Sequence, residues 1–306
     1  MPNSQTNLLT ATPGTSDVTP DSYHSATGAV RYTMTNDYMF NVIFRNTDIL
    51  AEFLCSLLDL DRNRIRSVII KNPLLPGDTA PDKTFILDIS ISLNDNTLIN
   101  IEMQVNNLGD WFDRSLSYLC RSFDQLYHGE NYSSTKSVLH IGILDFNIFP
   151  AHPEFYSSYK LMNIKNHQIY NDKFELRVLQ LKHANLATKR EKASGLAHWA
   201  ALFKASTWEE IKMLAHEKPV FDTVAQSLYK SNADEQIKYA CQAREEYEFQ
   251  MKRRQEQLEE YEFQMKRRQE QLEEYKKLAE DSMAANLKLQ DENNKLHLEL
   301  QKLKGL

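Results

Sequence analysis

Two acidic residues, Asp88 and Glu102, stand inside runs that otherwise have the composition of buried β-strands. In each run, 85–93 and 98–105, apolar and polar residues alternate, so one face of the strand is apolar and the other carries the acid. Two carboxylates close to each other repel, and a divalent cation relieves that repulsion. Hard oxygen ligands suit Mg²⁺ or Mn²⁺, which need only one or two protein carboxylates. The alternative is a hairpin whose polar face lies in water, where acidic residues are ordinary.

The turn between the two runs decides whether the acids meet. If it occupies 94–96, Leu93 pairs with Thr97 and Asp88 lies opposite Glu102, with their Cβ atoms ~5 Å apart. A two-residue turn would place the acids on opposite faces of the hairpin. The sequence therefore predicts a facing pair of carboxylates for one register only.

The elements that must position these residues are a mixture of helices and strands. The segment 36–60 has apolar residues at helical spacing and predicts one amphipathic helix, or two that break near Asn46. Residues 109–128 predict a helix that stops at Gly129. Further strands are predicted at 64–73, 136–149 and 173–181, and helices from Ser194 onward. This mixture predicts an α/β domain over 31–240 with a helical C-terminal portion.

Both ends of the chain differ from this region. Residues 1–30 are rich in Ser, Thr, Pro and Asn and predict a disordered leader. Residues 241–306 predict a long coiled-coil helix, because 245–258 recurs unchanged at 259–272 and the apolar residues keep a seven-residue period. We expect 245–304 to join copies of the chain into a homo-oligomer, most simply a dimer. A single charged helix in water is the alternative.

Composition argues against several classes of function. The net charge of −6 gives no overall attraction to nucleic acid, so any DNA contact needs a local basic patch. The eight glycines never reach the spacing of a nucleotide-binding loop, and HExxH, CxxC and GxSxG motifs are missing from the sequence. We assign His128, His140 and His198 to ordinary surface or core positions. Three widely spaced cysteines indicate reduced thiols and a cytoplasmic location. No apolar run approaches the ~18 residues of a membrane span.

The acidic hairpin and its surroundings resemble the PD-(D/E)XK nuclease superfamily, in which an Asp precedes a β-turn and a Glu follows on the next strand. The surrounding sequence looks like the branch of recombination-promoting nucleases and transposases. The resemblance spans about 31–250 and rests on segments that include "NDYMFNVIF" from Asn36, "NIEMQ" from Asn100, "RSLSYL" from Arg114 and "YACQAREEY" from Tyr239. It implies a restriction-endonuclease-like fold, with a mixed β-sheet core flanked by helices, that cleaves DNA with Mg²⁺.

Carried onto this chain, the resemblance implies that Asp88 and Glu102 bind the metal ion, with the backbone carbonyl of Met103 as a further ligand. A literal reading of the motif would take Asp82, which follows Pro81, as its first acid. We prefer Asp88, because it lies within the apolar alternation, where a carboxylate needs a reason to be buried.

Gln104 stands where the wider superfamily has a lysine. A glutamine carries no charge, so it would orient the attacking water or a phosphate oxygen. The missing positive charge would then come from Lys83 or Arg114.

Arg114 and Tyr118 fall at helical spacing after the second strand, with Arg121 and Gln125, and are candidates to bind substrate phosphates. The alternative is a helix face in water. Asp37 is a candidate supporting acid, although an acid in a helix's first turn also stabilises that helix.

The hypothesis that follows is a metal-dependent DNA endonuclease that acts in recombination or mobile-element biology. One alternative is a catalytically inactive coiled-coil interaction protein on a nuclease-like scaffold. Another is an RNA-directed nuclease that uses the same site.

Overall fold

The computed structural model describes residues 22–71, 74–75, 85–86, 89–94, 96–124, 126 and 129–303. The strands are β1 (Val68–Lys71), β2 (Leu74–Leu75), β3 (Phe85–Ile86), β4 (Ile89–Leu93), β5 (Thr97–Gln104), β6 (Ser137–Leu144), β7 (Tyr156–Lys160) and β8 (Phe174–Gln180). The helices are α1 (Asp37–Phe44), α2 (Thr47–Leu58), α3 (Trp111–Phe123), α4 (Lys189–Ala193), α5 (Leu196–Lys204), α6 (Trp208–Ala215), α7 (Pro219–Ala233) and α8 (Glu235–Leu303). The chain divides into two compact units, Met1–Glu246 and Tyr247–Leu306.

A six-stranded mixed sheet forms the centre of the first unit, in the order β1-β4-β5-β6-β8-β7. The strands β5, β6 and β8 run parallel to one another, whereas β1, β4 and β7 pair antiparallel with their neighbours. All residues of β6 after the first are buried, as its continuous apolar run predicts for a strand covered on both faces. This confirms the predicted mixed sheet with flanking helices.

The hairpin of β4 and β5 has the register that a turn at 94–96 predicts, because Leu93 pairs with Thr97. The first predicted strand, 85–93, is not found as one strand of this sheet. Its first two residues form β3, which pairs with β2 in a separate two-stranded sheet, whereas β4 begins at Ile89. Alternation of residue types cannot show that neighbouring residues pair with different strands. Asp88 and Lys83 lie outside the described residues.

Alternate residues of β5 face the two sides of the sheet. Ile99, Ile101 and Met103 belong to the main core, where α1, α2, α5 and α7 contribute buried aromatic side chains. Asn100, Glu102 and Gln104 face the other side, on which α3 packs and a smaller cluster forms around Trp111. The candidate residues of β5 therefore lie beneath α3.

The first helical segment is divided in two, as the sequence allowed. The Asn46 side chain accepts hydrogen bonds from the backbone N–H groups of Asp48 and Ile49 and so caps α2. Asn36 caps α1 in the same way by accepting a hydrogen bond from the Met39 N–H. Capping by asparagine explains why the break falls at this position.

The structure adds features that the sequence pattern did not predict. The polar strand β7 was missed, and α3 ends at Phe123, ahead of the predicted stop. Tyr23 and Val30, within the segment predicted as leader, are buried, and the Val30 N–H donates to the Ser206 carbonyl over 2.8 Å. Tyr23 and Val30 are two large side chains in a segment of mostly small polar residues. The composition of the segment therefore did not predict that they pack against the domain.

The second unit consists, in its described part, of the remainder of α8, which is helical to Leu303. In the isolated chain most of its apolar side chains are exposed. The positions at the predicted seven-residue period, here called the seam, include exposed Tyr247, Leu258, Tyr261, Met265, Leu272, Tyr275, Leu289, Leu296 and Leu300. The long helix is thereby established, whereas its pairing into a coiled coil stays a prediction. Among the described residues, no helix combines the length and the apolar character needed to cross a membrane.

Candidate nuclease site

Glu102 lies in the middle of β5 and is almost completely buried, with 1% of its surface exposed. Its partner across the parallel pair is Gly142 of β6. Trp111, the first residue of α3, occupies the space above Gly142 that a side chain would fill. The same helix brings Arg114 over Glu102, because Trp111 and Arg114 lie almost one turn apart on α3.

An ion pair with Arg114 compensates the buried charge of Glu102. Arg114 Nη2 lies 2.6 Å from Glu102 Oε1, within the distance of a charge-assisted hydrogen bond. Burial nevertheless raises the pKa of Glu102 to about 7, and the charge of Arg114 opposes this rise. The Glu102 carboxyl group therefore has a pKa close to physiological pH.

His140 lies next to Glu102 within the sheet and is fully buried. Its Nε2 is 3.7 Å from Glu102 Oε2, which is too long for a hydrogen bond. Burial, helped by the charge of Arg114, lowers the pKa of His140 to about 3, so the imidazole is neutral. Its ring centre lies 5.8 Å from that of Tyr118 and 6.0 Å from that of Trp111. His140 is thus a buried neighbour of Glu102, which agrees with the core alternative of its predicted surface or core position.

Asp37 lies in the first turn of α1, a helix that contacts β5. The charges that act on Glu102 also act on this second buried acid. It is 6% exposed, and its Oδ2 forms an ion pair with Nε of Arg244, which lies on α8. Burial raises the pKa of Asp37, and the charges of Arg244 and Arg114 oppose the rise. Arg244 also lowers the pKa of Glu102. The charges of both arginines therefore oppose the rise in pKa at both acids.

The remaining predicted residues lie on β5, the strand of Glu102, and on α3, the helix of Arg114. Gln104 is 8% exposed and shares the face of Glu102. Met103 points its side chain into the main core, so only its backbone is available to the site. Tyr118 is also 8% exposed, and its ring centre lies 5.5 Å from the guanidinium carbon of Arg114. In this structure Tyr118 therefore packs between Arg114 and His140.

Buried oxygen atoms without a hydrogen-bond donor bear on whether a metal ion fits here. Asp37 Oδ1, Gln104 Oε1 and both carboxylate oxygens of Glu102 accept no hydrogen bond within the part of the chain that the structure describes, although Glu102 Oε1 forms an ion pair with Arg114. Buried acceptors without a donor are costly, and a hard cation such as Mg²⁺ satisfies oxygen ligands of this kind. Among the described residues, no three His, Cys, Asp or Glu side chains form a group suited to a metal ion. Glu102 therefore supplies a buried carboxylate to such a site, and Asp88 lies outside the described residues.

Sequence reasoning missed Arg244 as a member of the site. Asp37 and Arg244 are far apart in the chain, and only the packing of α1 against the start of α8 brings them together. The sequence signal was present, since Arg244 belongs to the segment "YACQAREEY" that contributed to the resemblance.

Comparison with known proteins identifies the family of this chain. Residues 34–257 match the family described as PD-(D/E)XK nuclease family transposase. The matched region includes every described candidate residue and the start of α8, with Arg244. No curated protein and no solved structure matches the chain.

Proposed function

Because the chain belongs to the family of PD-(D/E)XK nuclease transposases, we propose that it is a divalent-metal-dependent DNA endonuclease of the recombination-promoting type. The observation that carries this proposal is the buried carboxylate of Glu102. Its Oε1 forms an ion pair with Arg114, and neither Oε1 nor Oε2 accepts a hydrogen bond among the described residues. An acceptor left without a partner in the interior costs stability, and a bound cation would remove that cost.

The hairpin register supports Asp88 as the second acid. Ile89 pairs with Ile101, and an antiparallel pairing continued by one residue would bring position 88 opposite position 102. We propose that Asp88 and Glu102 hold the metal ion together with the Met103 carbonyl. The bound Mg²⁺ or Mn²⁺ would polarise the scissile phosphate and lower the pKa of a bound water.

The other side chains of the site would orient the reactants and balance charge. Gln104 is placed on the face of Glu102, where its amide could hold the attacking water or a phosphate oxygen by hydrogen bonds. Arg114 neutralises Glu102, and we propose that Lys83 adds positive charge beside it. Asp37 would act as a supporting acid at the edge of the site. Tyr118, whose ring lies beside the Arg114 guanidinium, remains a proposed substrate-binding residue together with Arg114.

The exposed seam of α8 supports a homodimer through residues 245–304. In a single chain the seam leaves large apolar side chains in water, and burying them between two helices would stabilise a pair. Two sites in one dimer could address the two strands of a duplex. We also propose a cytoplasmic location, because Cys55, Cys120 and Cys241 are free thiols.

Plasmid cleavage tests the proposed function. Supercoiled DNA is incubated with the protein and Mg²⁺ or Mn²⁺, with EDTA as the metal-free control. We expect nicked or linear products that disappear in both Asp88→Ala and Glu102→Ala. Asp113→Ala is the matched control, because Asp113 is an exposed carboxylate on α3, and it should cleave like the wild type.

The outcomes of this assay separate the hypotheses. Cleavage that survives both acidic substitutions would refute the assignment of the site. A folded wild-type protein that cuts neither DNA nor RNA would favour the inactive coiled-coil interaction protein. Cleavage of structured RNA alone would change the substrate but keep the site.

A further inference from the structure

A cleft with a volume of about 400 Å³ opens at the C-terminal end of α2. Ser194 and Lys218, which precede the starts of α5 and α7, also line this cleft. The cleft shares no residue with the candidate nuclease site, and its volume is in the range that holds small ligands. Because most of its side chains are polar or charged, their arrangement indicates which kind of ligand fits.

Four cations and three acids line the cleft, and two of the cations are already paired. Arg190 Nε lies 2.5 Å from Asp59 Oδ2. Arg62 Nε lies 3.5 Å from Glu52 Oε1, and its Nη2 lies 3.8 Å from Asp48 Oδ1. These pairs take up two of the three lining acids, so the charge that is left comes from the other cations.

Those other cations are Arg64 and Lys218. Neither side chain forms an ion pair or a hydrogen bond with any residue that the structure describes. Asp61, the third lining acid, offsets one of the two charges. Cations without partners are ordinary on an open surface, so their meaning depends on where the charged groups lie.

The ammonium group of Lys218 lies beside Gly195, which is buried. A Cβ atom on Gly195 would be 3.1 Å from Lys218 Nζ and 3.4 Å from Ser56 Oγ. Gly195 has a φ angle of +86°, in the left-handed region that favours glycine. The glycine therefore leaves space next to both polar groups, and any other side chain would fill that space.

Ser56 adds a buried hydroxyl group to the cleft. The residue is 5% exposed, and its hydroxyl forms no hydrogen bond with the described part of the chain. A buried hydroxyl without a partner costs stability, and an anionic oxygen atom beside it would remove that cost. The starts of α5 and α7, which have no side-chain cap, add partial positive charge.

We propose that this cleft binds the phosphate group of a small ligand, about the size of a mononucleotide, through Lys218, Arg64 and the Ser56 hydroxyl. A small ligand fits better than a DNA backbone, because the three lining acids would repel the neighbouring phosphates of a polyanion. The same acids can accept hydrogen bonds from sugar hydroxyl groups. The competing explanation is that these charges are a solvated surface without a ligand.

Thermal unfolding of the full-length protein tests the phosphate contact with paired probes. The probes are adenosine 5′-monophosphate (AMP), adenosine and inorganic phosphate, with sodium chloride added to equalise the ionic strength. We expect AMP and inorganic phosphate, at ten times their Kd, to raise the melting temperature by about 3–6 °C. Adenosine, which lacks only the phosphate group of AMP, should leave the melting temperature unchanged.

Variants of the cleft connect this effect to its residues. Arg64→Gln and Lys218→Gln should each weaken AMP binding roughly tenfold to hundredfold, the range for losing a charged hydrogen bond. Ser56→Ala should also weaken it, but should not lower the melting temperature of the free protein, because the hydroxyl has no partner to lose. Arg66→Gln is the matched control, because Arg66 is an exposed arginine two residues from Arg64 that does not line the cleft.

Cys55 reports whether a bound probe occupies this cleft. It lines the cleft and is partly exposed, whereas Cys241 is buried, and Cys120→Ser removes the exposed thiol. We expect AMP at ten times its Kd to slow the reaction of Cys55 with N-ethylmaleimide roughly tenfold, since about one site in ten is then empty. Stabilisation by AMP without protection of Cys55 would mean that AMP binds elsewhere, which overturns the proposal.

Two further results would also overturn it. One is that neither AMP nor inorganic phosphate raises the melting temperature at millimolar concentration, or that Arg64→Gln/Lys218→Gln responds like the wild type. The other is that these probes fail while the double variant loses affinity for a fluorescein-labelled DNA duplex without metal, because the cleft would then hold a nucleic-acid backbone. None of these measurements depends on DNA cleavage, so the nuclease proposal and this one stand or fall separately.

Discussion

Replacing Gly142 by alanine should disturb the site through Trp111. The φ angle of Gly142 is outside the left-handed region, so alanine can adopt the same backbone conformation. The effect of the substitution therefore depends on whether the new Cβ atom fits. A Cβ atom there would lie 2.1 Å from Cη2 and 2.3 Å from Cζ2 of Trp111. Carbon atoms in contact are normally ~3.5–4.0 Å apart, so the ring would have to move by roughly 1.5 Å.

The surroundings of Trp111 allow little movement, because the ring is buried against Leu144, Phe146 and Val178. Overpacking of this kind typically costs about 1–3 kcal/mol. For a domain of this size, each kcal/mol lowers the melting temperature by roughly 2–4 °C. Since Trp111 begins the helix that carries Arg114, we also expect weaker DNA cleavage by Gly142→Ala.

A double-mutant cycle measured by thermal unfolding supplies the control. Trp111→Phe removes part of the indole and so makes room for the new Cβ atom. We expect Gly142→Ala to cost at least about 1 kcal/mol less in the Trp111→Phe background than in the wild type. Equal costs in the two backgrounds, or a wild-type melting temperature for Gly142→Ala, would show that the close approach does not limit this position.

Three further predictions concern the acids, the tail and the thiols. Burial raises the pKa of Glu102 to about 7 from an ordinary value near 4.5, so the metal-free protein should lose stability as pH rises through that interval, and Glu102→Gln should flatten the loss. Mn²⁺ competes with this proton, so its stabilising effect on the wild type should grow from about pH 5.5 to about 7.5, and a pH-independent effect in thermal unfolding would contradict the assignment. Removing 247–306 should leave a protein that sediments as a monomer. A truncated protein that still sediments as an oligomer would exclude the coiled-coil interface. Iodoacetamide at about pH 8 should label exposed Cys120 and spare Cys241, whose pKa burial raises to about 11, and equal labelling would argue against a docked α8.

Much of the local structure follows from short-range chemistry that the sequence displays. Asn36 and Asn46 cap successive helices because their side chains satisfy the free N–H groups of the first turn. The apolar run in β6 predicted a strand buried on both faces, and the register of the hairpin agrees with a turn at 94–96. The helix caps and the strand depend mainly on residues close together in the chain, so a single sequence is enough to predict them, whereas the sequence left two turns and two registers open for the hairpin.

The sequence by itself therefore determined the mixed α/β class, the long C-terminal helix and the place of Glu102 on a polar strand face. Only the tertiary structure decided that this face is buried beneath α3, that Trp111 closes over Gly142, and that Arg244 pairs with Asp37. Residue pattern shows which side of a strand is polar, but the helix that covers it comes from a distant segment. The burial that raises the pKa of Glu102, and the arginines that oppose that rise, arise from this long-range packing.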